Sequence, residues 1–209
     1  MGPKYEFTDE TINFDGHILH RIRCISNDEL GGWIESEENL SQEGDCWVYN
    51  NAKVYGDAQV YENATIFGSA EVYDNAKICG TATVAGKAVV YGKTFIHESA
   101  KIYDNAQVYN NAEVYGDACV CDNAKVYGNA EVYDDACING NAEIFGNAQV
   151  YENAQVGGNA NIFGNSEIFG NAQIFDEADV HGNSEIFGDA VVFNGAIVND
   201  KKISTGTIG

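Results

Sequence analysis

The chain has 209 residues, of which 32 are acidic and 11 are lysine or arginine, giving a formal net charge of −21. That length suffices for a single domain with its own core, and the acidity argues against direct binding to nucleic acid or to another polyanion. Because the sequence shows no apolar run of about 18 residues and does not open on a signal peptide, we expect a cytoplasmic protein that does not engage a membrane.

Residues 1–45 do not follow the repeat that fills the rest of the chain. Residues 17–25 alternate between apolar and polar side chains, which predicts a strand, and the pair Gly31 and Gly32 predicts a turn. An open end of a β-helix would expose strand edges that invite stacking. We therefore interpret residues 1–45 as a short N-terminal β cap.

Residues 46–200 are built from a repeat of six residues. Val48 and every sixth residue after it, up to Val198, is Val or Ile, so 26 positions in a row are β-branched. A small residue, usually Ala, stands two positions before each of them, and Tyr or Phe usually follows. The next two positions are mostly Gly, Asn, Asp or Glu.

The repeat has a direct structural meaning. Side chains two positions apart in a strand point to the same face, so the small and the β-branched residue of each hexad point together toward a core. Gly and Asn tolerate positive φ, which predicts a corner after each short strand. One such unit cannot bury its inner face alone and has to stack on copies of itself. The repeat therefore predicts an all-β fold, a single-stranded parallel β-helix.

The pattern resembles the hexapeptide repeat of left-handed β-helix proteins, in which three hexads form one triangular coil. For residues 46–200 the resemblance implies a left-handed β-helix of about eight to nine coils. The segments GGWIE at 31–35 and NLSQEGDCWVY at 39–49 more narrowly resemble the YdcK-like hexapeptide-repeat proteins of bacteria and phages. That narrower resemblance implies a family and leaves the activity open.

The residues that follow the β-branched positions fall into three columns if three hexads make a coil. Column two runs from Tyr55 to Asn199 and column three from Tyr61 to Phe187, and both are mainly aromatic. Stacked rings would stabilise the register of neighbouring coils; the other interpretation is a contact surface for a partner. After Val198 the hexad register fails, and we predict that residues 201–209 form a C-terminal tail.

Column one, from Tyr49 to Phe193, is interrupted by small residues. A flatter, uncharged face of this kind is a candidate for self-association, and hence for a homo-oligomer. The candidate residues are Ala85, Cys119, Cys121, Cys137, Asn139 and Gly157. A neutral face that contacts only solvent is the alternative.

Catalysis is the less favoured interpretation. The hexapeptide-repeat acyltransferases, which the pattern resembles, typically use a His beside a loop that bulges from the coils and bind a CoA donor. The repeat here contains no insertion, and His97 and His181 take ordinary outward positions, so we predict no catalytic residue and no cofactor. The six cysteines include no Cys-x-x-Cys pair, so we predict reduced thiols and no metal site.

Acidic residues concentrate on column three and on the corner that follows it, where Lys77 is the main opposing charge. This acidic stripe consists of Glu62, Glu98, Glu113, Asp117, Glu131, Asp134, Asp135, Glu152, Glu167, Glu185 and Asp189. An acidic rod attracts basic surfaces and speeds encounter with a cationic partner. Solubility is the alternative purpose of the charge.

These features together favour a non-catalytic binding protein, a rigid acidic rod that engages a basic protein. Within this hypothesis the partner is a nucleic-acid-binding host protein, and the chain is a phage product that mimics nucleic acid and occupies a host defence protein. A structural or assembly module is the first alternative. A hexapeptide-repeat acyltransferase is the second.

Overall fold

A computed structural model describes residues 2–209 and contains strands, corners and a single short 3-10 helix, Glu37–Asn39. The chain opens with an antiparallel hairpin of β1 (Tyr5–Phe14) and β2 (His17–Cys24), and β2 pairs in turn with β3 (Leu30–Ile34). All later strands are two or three residues long and pair in parallel with strands one coil away.

The short strands form three flat faces of a solenoid, numbered here after the columns that follow them. Face 1 has ten strands: Trp47–Val48, Thr65–Ile66, Thr83–Val84, Lys101–Ile102, Cys119–Val120, Cys137–Ile138, Gln155–Val156, Gln173–Ile174, Val191–Val192 and Thr207–Ile208. Face 2 continues β1, β2 and β3 with Lys53–Val54, Glu71–Val72, Val89–Val90, Gln107–Val108, Lys125–Val126, Glu143–Ile144, Asn161–Ile162, Asp179–His181 and Ile197–Asn199. Face 3 consists of Gln59–Val60, Lys77–Ile78, Phe95–Ile96, Glu113–Val114, Glu131–Val132, Gln149–Val150, Glu167–Ile168, Glu185–Ile186 and Lys202–Ile203.

The register of the solenoid confirms three hexads per coil. Thr83, for example, lies opposite Thr65 in the preceding coil and Lys101 in the next one, a step of 18 residues in each direction. The fold is a parallel β-solenoid of about 10 turns, rather than the eight to nine predicted. Its left-handed sense stays a prediction.

The core is a narrow column of aliphatic side chains. The 26 Val and Ile positions from Val48 to Val198 are at most 1% exposed, and the alanines two positions before them are buried as well, apart from the half-buried Ala196 in the last hexad. Each fully buried Val or Ile stabilises the fold by roughly 1.5–3 kcal/mol. Since every coil buries its inner face only against its neighbours, this burial is what holds the coils together.

The corners require backbone of positive φ. The second residue after each Val or Ile has a φ between about +50° and +80°, the left-handed region. Gly fills many of these positions because neighbouring coils come close there: a Cβ on Gly92 would lie 2.7 Å from the carbonyl oxygen of Asn110. Asn, Asp and Glu fill the others, including Glu62 and Asp104.

Asparagine ladders run along two of the three corners. After face 2, side-chain amides donate from each Asn to the next at 3.0–3.1 Å, from Asn111 to Asn183. After face 1, a second ladder runs from Asn105 to Asn159 at 2.9–3.2 Å. These amides satisfy one another along the axis and fix neighbouring corners in register.

Both ends of the solenoid extend beyond the predicted repeat. β3 pairs in parallel with Lys53–Val54, so the first coil lies inside the segment interpreted as a cap. Two strands inside the predicted tail, Lys202–Ile203 and Thr207–Ile208, pair with Glu185–Ile186 and Val191–Val192. These added strands explain the larger number of turns.

Candidate functional site on the acidic face

The outward strand positions of face 3 carry a row of glutamates. Successive strands place Glu113 beside Glu131, Glu131 beside Gln149, and so on through Glu167 to Glu185. Neighbouring strands in a sheet lie about 4.8 Å apart, so the row presents four carboxylates along one straight line. We call these four residues the strand row.

The other acids of the predicted stripe lie on the corner after face 3, and four of them have a structural role. Each of these four occupies a positive-φ position and accepts a hydrogen bond from the backbone N–H of the next coil. Glu62 binds Gly80 at 2.8 Å, Glu98 binds Gly116 at 2.9 Å, Asp134 binds Glu152 at 3.3 Å and Glu152 binds Gly170 at 2.8 Å. These carboxylates stay exposed while they satisfy an amide that a Gly corner leaves free.

Three acids, Asp117, Asp135 and Asp189, stand one position further along the same corner and are exposed. Asn171 donates its side-chain amide to Asp189 at 3.0 Å. All eleven predicted stripe residues therefore lie together on face 3 and its corner. Their role in binding a partner stays a prediction.

The strand row has few cationic partners compared with face 2. On face 2, Lys53 pairs with Glu71 at 3.2 Å and Lys125 with Glu143 at 2.9 Å. The Lys125 ammonium is the main reason that the pKa of Glu143 is lowered, against the opposing effect of partial burial. On face 3, Lys202 contacts Glu185 at the C-terminal end of the row.

The middle of the strand row is held by neutral groups. Gln149 donates its side-chain amide to Glu131 at 3.3 Å, and the Tyr151 hydroxyl donates to Glu167 at 3.2 Å. Burial, with the Glu167 carboxylate next in importance, raises the pKa of Tyr151 to about 12, so this donor keeps its proton at neutral pH. Among residues 2–209, Glu131 and Glu167 make no ion pair.

Aromatic rings stack along columns two and three. The column-three stack that borders face 3 runs from His97 to Phe187 with ring centroids 4.8–5.0 Å apart. The stack from Tyr55 to His181 on column two has the same spacing. The stacking of rings predicted for columns two and three is thus present.

The histidines take part in packing. His97 stacks between Phe95 and Tyr115, and its Nε2 lies 2.9 Å from Glu113 at one end of the strand row. His181 ends the column-two stack, as its outward sequence position predicts. In the hairpin, His17 Nδ1 lies 2.9 Å from Glu35.

Glu35 shows how a carboxylate is used at the first coil. Burial raises its pKa, but the hydrogen bonds from His17 and from the Gly56 backbone N–H, with the charge of His17, outweigh burial and lower it. The bond from Gly56 is 2.8 Å long. Glu35 thus caps the first coil in the same way that the corner acids cap later ones.

Face 1 contains the predicted self-association residues and few charges. Ala85, Cys121 and Gly157 are buried, whereas Cys119, Cys137 and Asn139 are half-buried. Within the described chain, Lys101 is the one charged side chain at an outward strand position of this face. The structure brings Cys119 and Cys137 side by side in neighbouring strands. Self-association through this face stays a prediction.

From Gly2 onward, no group of three or more His, Cys, Asp or Glu side chains is arranged to hold a metal ion. In the same part of the chain, no helix combines the length and the apolar character that crossing a membrane requires.

Comparison with known proteins agrees with this architecture. The family model described as the YdcK Beta solenoid repeat matches residues 58–74, so this stretch is similar to that repeat. The predicted resemblance to YdcK-like hexapeptide-repeat proteins is confirmed for this repeat.

One similar solved structure is a UDP-N-acetylglucosamine acyltransferase from Campylobacter jejuni. It is 14% identical, the match covers 79% of this chain and 69% of that one, and the TM-score is 0.36. A search of curated protein sequences found no match.

Proposed function

We propose that this β-solenoid is a non-catalytic binding protein whose acidic face engages a basic macromolecule. Within this proposal the partner is a nucleic-acid-binding host protein, the chain is phage-encoded, and it acts in the bacterial cytoplasm by occupying a defence protein in place of nucleic acid. The observation that carries the proposal is the strand row, in which Glu131 lies one strand from Glu113 and Glu167 lies one strand from Glu185. Glu131 and Glu167 have neutral hydrogen-bond partners only.

The linear charge density of the acidic stripe supports a nucleic-acid mimic. From Glu62 to Asp189 the stripe spans about seven coils, or roughly 34 Å at a strand spacing of ~4.8 Å. Eleven carboxylates over that length give one negative charge per about 3 Å, and one strand of DNA carries one phosphate per about 3.4 Å. A cleft that follows one nucleic-acid strand would meet a similar charge density on this face.

Rigidity supports the same conclusion. The carboxylates of the strand row lie on strands whose backbone is bonded to both neighbouring coils, so little conformational freedom remains to be lost when a partner binds. An acidic rod of this kind accelerates association with a basic cleft and makes the affinity fall as salt rises.

The direct test is displacement of DNA from a basic cleft. A fluorescent 20-base-pair duplex is bound to each of a panel of bacterial restriction endonucleases without Mg²⁺, and the protein is titrated in at about 50 and 200 mM salt. We expect displacement from at least one enzyme, and weaker displacement at the higher salt. The variant Glu113→Gln, Glu131→Gln, Glu167→Gln and Glu185→Gln should weaken displacement at least about fourfold, since charge pairs near the surface contribute about 0.2–1 kcal/mol each, or about 0.8–4 kcal/mol for four.

A matched control removes the same number of charges from another corner. The control variant carries four substitutions at exposed residues on the corner after face 1: Asp104→Asn, Asp122→Asn, Asp176→Asn and Glu177→Gln. It removes the same number of negative charges as the strand-row variant. Asn suits the positive φ of the three aspartates. The proposal is wrong if both variants weaken displacement to the same extent, because total charge alone would then explain binding. If the protein displaces DNA from none of the enzymes in the panel, the nucleic-acid mimic is refuted.

A further inference from the structure

Three cysteines and a tyrosine meet on face 1, away from the acidic face. Cys119 and Cys137 are direct register partners in neighbouring parallel strands. Parallel neighbours lie about 4.8 Å apart, which falls within the Cα separations of roughly 4.4–6.8 Å that disulfides span. All cysteines of the described chain are free thiols in this structure.

Hydrogen bonds distinguish the two partners chemically. Cys119 Sγ lies 3.3 Å from the Tyr103 hydroxyl, and Asn139 donates its side-chain amide to Cys137 Sγ at 3.7 Å. The hydrogen bond from Cys137 is the main reason that the pKa of Cys119 is lowered, with Tyr103 adding to it and burial opposing. The same contact, followed by burial, raises the pKa of Cys137. The contacts with Cys137 and Tyr103 thus favour the thiolate form of Cys119, with Cys137 as the adjacent thiol.

Small molecules can reach Cys119 and Cys137 more easily than the buried cysteines of the chain. Cys119 and Cys137 are half-buried and reach the surface, whereas Cys121 is only 8% exposed and burial raises its pKa. Cys46 and Cys79 are buried. A thiolate that a small oxidant can reach, with a second thiol beside it, is the arrangement that redox-active cysteines require.

We propose that Cys119 and Cys137 form a site of reversible oxidation by small hydroperoxides. The Cys119 thiolate attacks one peroxide oxygen, the O–O bond breaks, and the leaving hydroxide takes a proton, so that Cys119 becomes a sulfenic acid and water or an alcohol is released. The Cys137 sulfur then attacks the sulfenic sulfur, the S–O bond breaks, and a second water leaves with the Cys137 proton. The peroxide gains two electrons, and each cysteine sulfur supplies one of them to form the disulfide.

The geometry also explains why such a disulfide would be easily reduced. Side chains of in-register parallel neighbours stand side by side, so their Cβ atoms stay near the strand spacing of about 4.8 Å, beyond the roughly 3.5–4.5 Å that disulfides prefer. Closing the bond must draw two coils together against their hydrogen bonds, and strained disulfides are the readily reducible ones. Thiol reductants should therefore restore both cysteines.

Mass spectrometry of the full-length protein tests the proposal. Hydrogen peroxide treatment is followed by N-ethylmaleimide, which blocks remaining thiols, and by trypsin without reductant. Cleavage at Lys101, Lys125 and Lys201 places Cys119 in peptide 102–125 and Cys137 in peptide 126–201. We expect these two peptides to be joined, lighter by two hydrogens than their sum, and separated again by dithiothreitol.

Single substitutions show which cysteine is oxidised first and which one forms the disulfide with it. Cys121→Ser should leave the joined pair unchanged, whereas Cys119→Ser should reduce it at least tenfold. In Cys137→Ser, dimedone should label Cys119, because the sulfenic acid then has no thiol to condense with. Cys24, which is near the surface in the hairpin segment and whose neighbour is Ser26, serves as an internal comparison for simple exposure.

Several results would overturn the proposal. The joined pair could persist in Cys119→Ser, which would assign the chemistry to Cys121, or peptide 102–125 could lose two hydrogens without being joined. Dimedone labelling at Cys24 but not at Cys119 would show that exposure alone decides reactivity. Absence of the joined pair in wild-type protein whose circular dichroism stays unchanged would refute the site.

Discussion

Thr94 is expected to be a weak point of the core, and replacing it should stabilise the protein. Thr94 occupies the small-residue position of its hexad and is 1% exposed, and its hydroxyl has no hydrogen-bond partner among residues 2–209. Ser166 and Ser184 occupy the same position in other hexads, but they donate to the carbonyl oxygens of Phe163 at 2.8 Å and His181 at 2.7 Å. The three residues form a matched set.

The magnitudes follow from these contacts. A buried polar group without a partner costs about 1–3 kcal/mol, and Thr94→Val removes it while keeping the shape of the side chain. Ser166→Ala removes a satisfied hydrogen bond, with a net loss of about 0.5–1.5 kcal/mol. For a chain of this length, each kcal/mol shifts the midpoint of thermal unfolding by roughly 2–4 °C. We expect Thr94→Val to raise the midpoint by at least about 2 °C and Ser166→Ala to lower it by a similar amount.

Thermal unfolding followed by far-ultraviolet circular dichroism at one scan rate and one protein concentration measures both effects. Ser184→Ala is the second control and should behave as Ser166→Ala does. A lower midpoint for Thr94→Val, comparable to those of the two serine variants, would refute the reasoning. Such a result would mean that the Thr94 hydroxyl stabilises the fold as the hydrogen-bonded hydroxyls of Ser166 and Ser184 do.

Three further predictions concern the corners, the columns and pH. Because its pKa is lowered, Glu143 stabilises the fold above its ordinary pKa of about 4.5 and loses this effect as pH falls through the lowered value, so the difference in thermal midpoint between wild type and Glu143→Gln should shrink on acidification. Gly92→Val places a Cβ 2.7 Å from a backbone oxygen at φ +81° and should lower the midpoint by at least about 4 °C; Gly92→Asn brings the same Cβ but adopts positive φ more readily, so it should lower the midpoint by less. Tyr133→Leu removes two ring stacks and should destabilise the protein by about 1–3 kcal/mol in urea unfolding.

The architecture could be predicted because one pattern decides it. A β-branched residue every six positions fixes which side chains are inside, and the step of 18 residues then follows from three hexads per coil. The stacks of columns two and three and the strand row on face 3 are consequences of the same step. Little else competes with such a repeat, so reading the columns from the sequence placed these side chains correctly.

The ends of the solenoid could not be predicted, because the six-residue repeat is replaced there by closely packed glycines at the first coil and by shortened corners at the last. At the first coil, Gly31 and Gly32 stand where side chains would collide: a Cβ on Gly31 would lie 2.5 Å from Ile22, and one on Gly32 would lie 2.6 Å from Val48. Close packing of the hairpin thus removes the aliphatic signal. At the last coil, Glu185 pairs with Lys202 after 17 residues, and Val191 pairs with Thr207 after 16. Shortened corners shift the register without ending the fold.

The acidic stripe was located correctly from the sequence, but its members turn out to be of two kinds. The corner acids Glu62, Glu98, Asp134 and Glu152 each accept a backbone N–H of the next coil, so coil geometry already accounts for their presence. Corners elsewhere use acids in the same way, as Asp74 does toward Gly92. A count of acids along the sequence therefore mixes structural carboxylates with those free to serve another purpose.

The strand row is the part of the stripe that coil geometry does not require. Outward strand positions on the other faces accept Lys, Gln, Thr and Val, so nothing in the fold demands Glu at four such positions of one face. Adjacent like charges oppose strand pairing, as Glu113 beside Glu131 and Glu167 beside Glu185 must do. Neutralising the strand row should therefore leave stability unchanged or raise it while weakening the binding of a basic partner. A solubility role alone predicts no such dependence on the face that is neutralised.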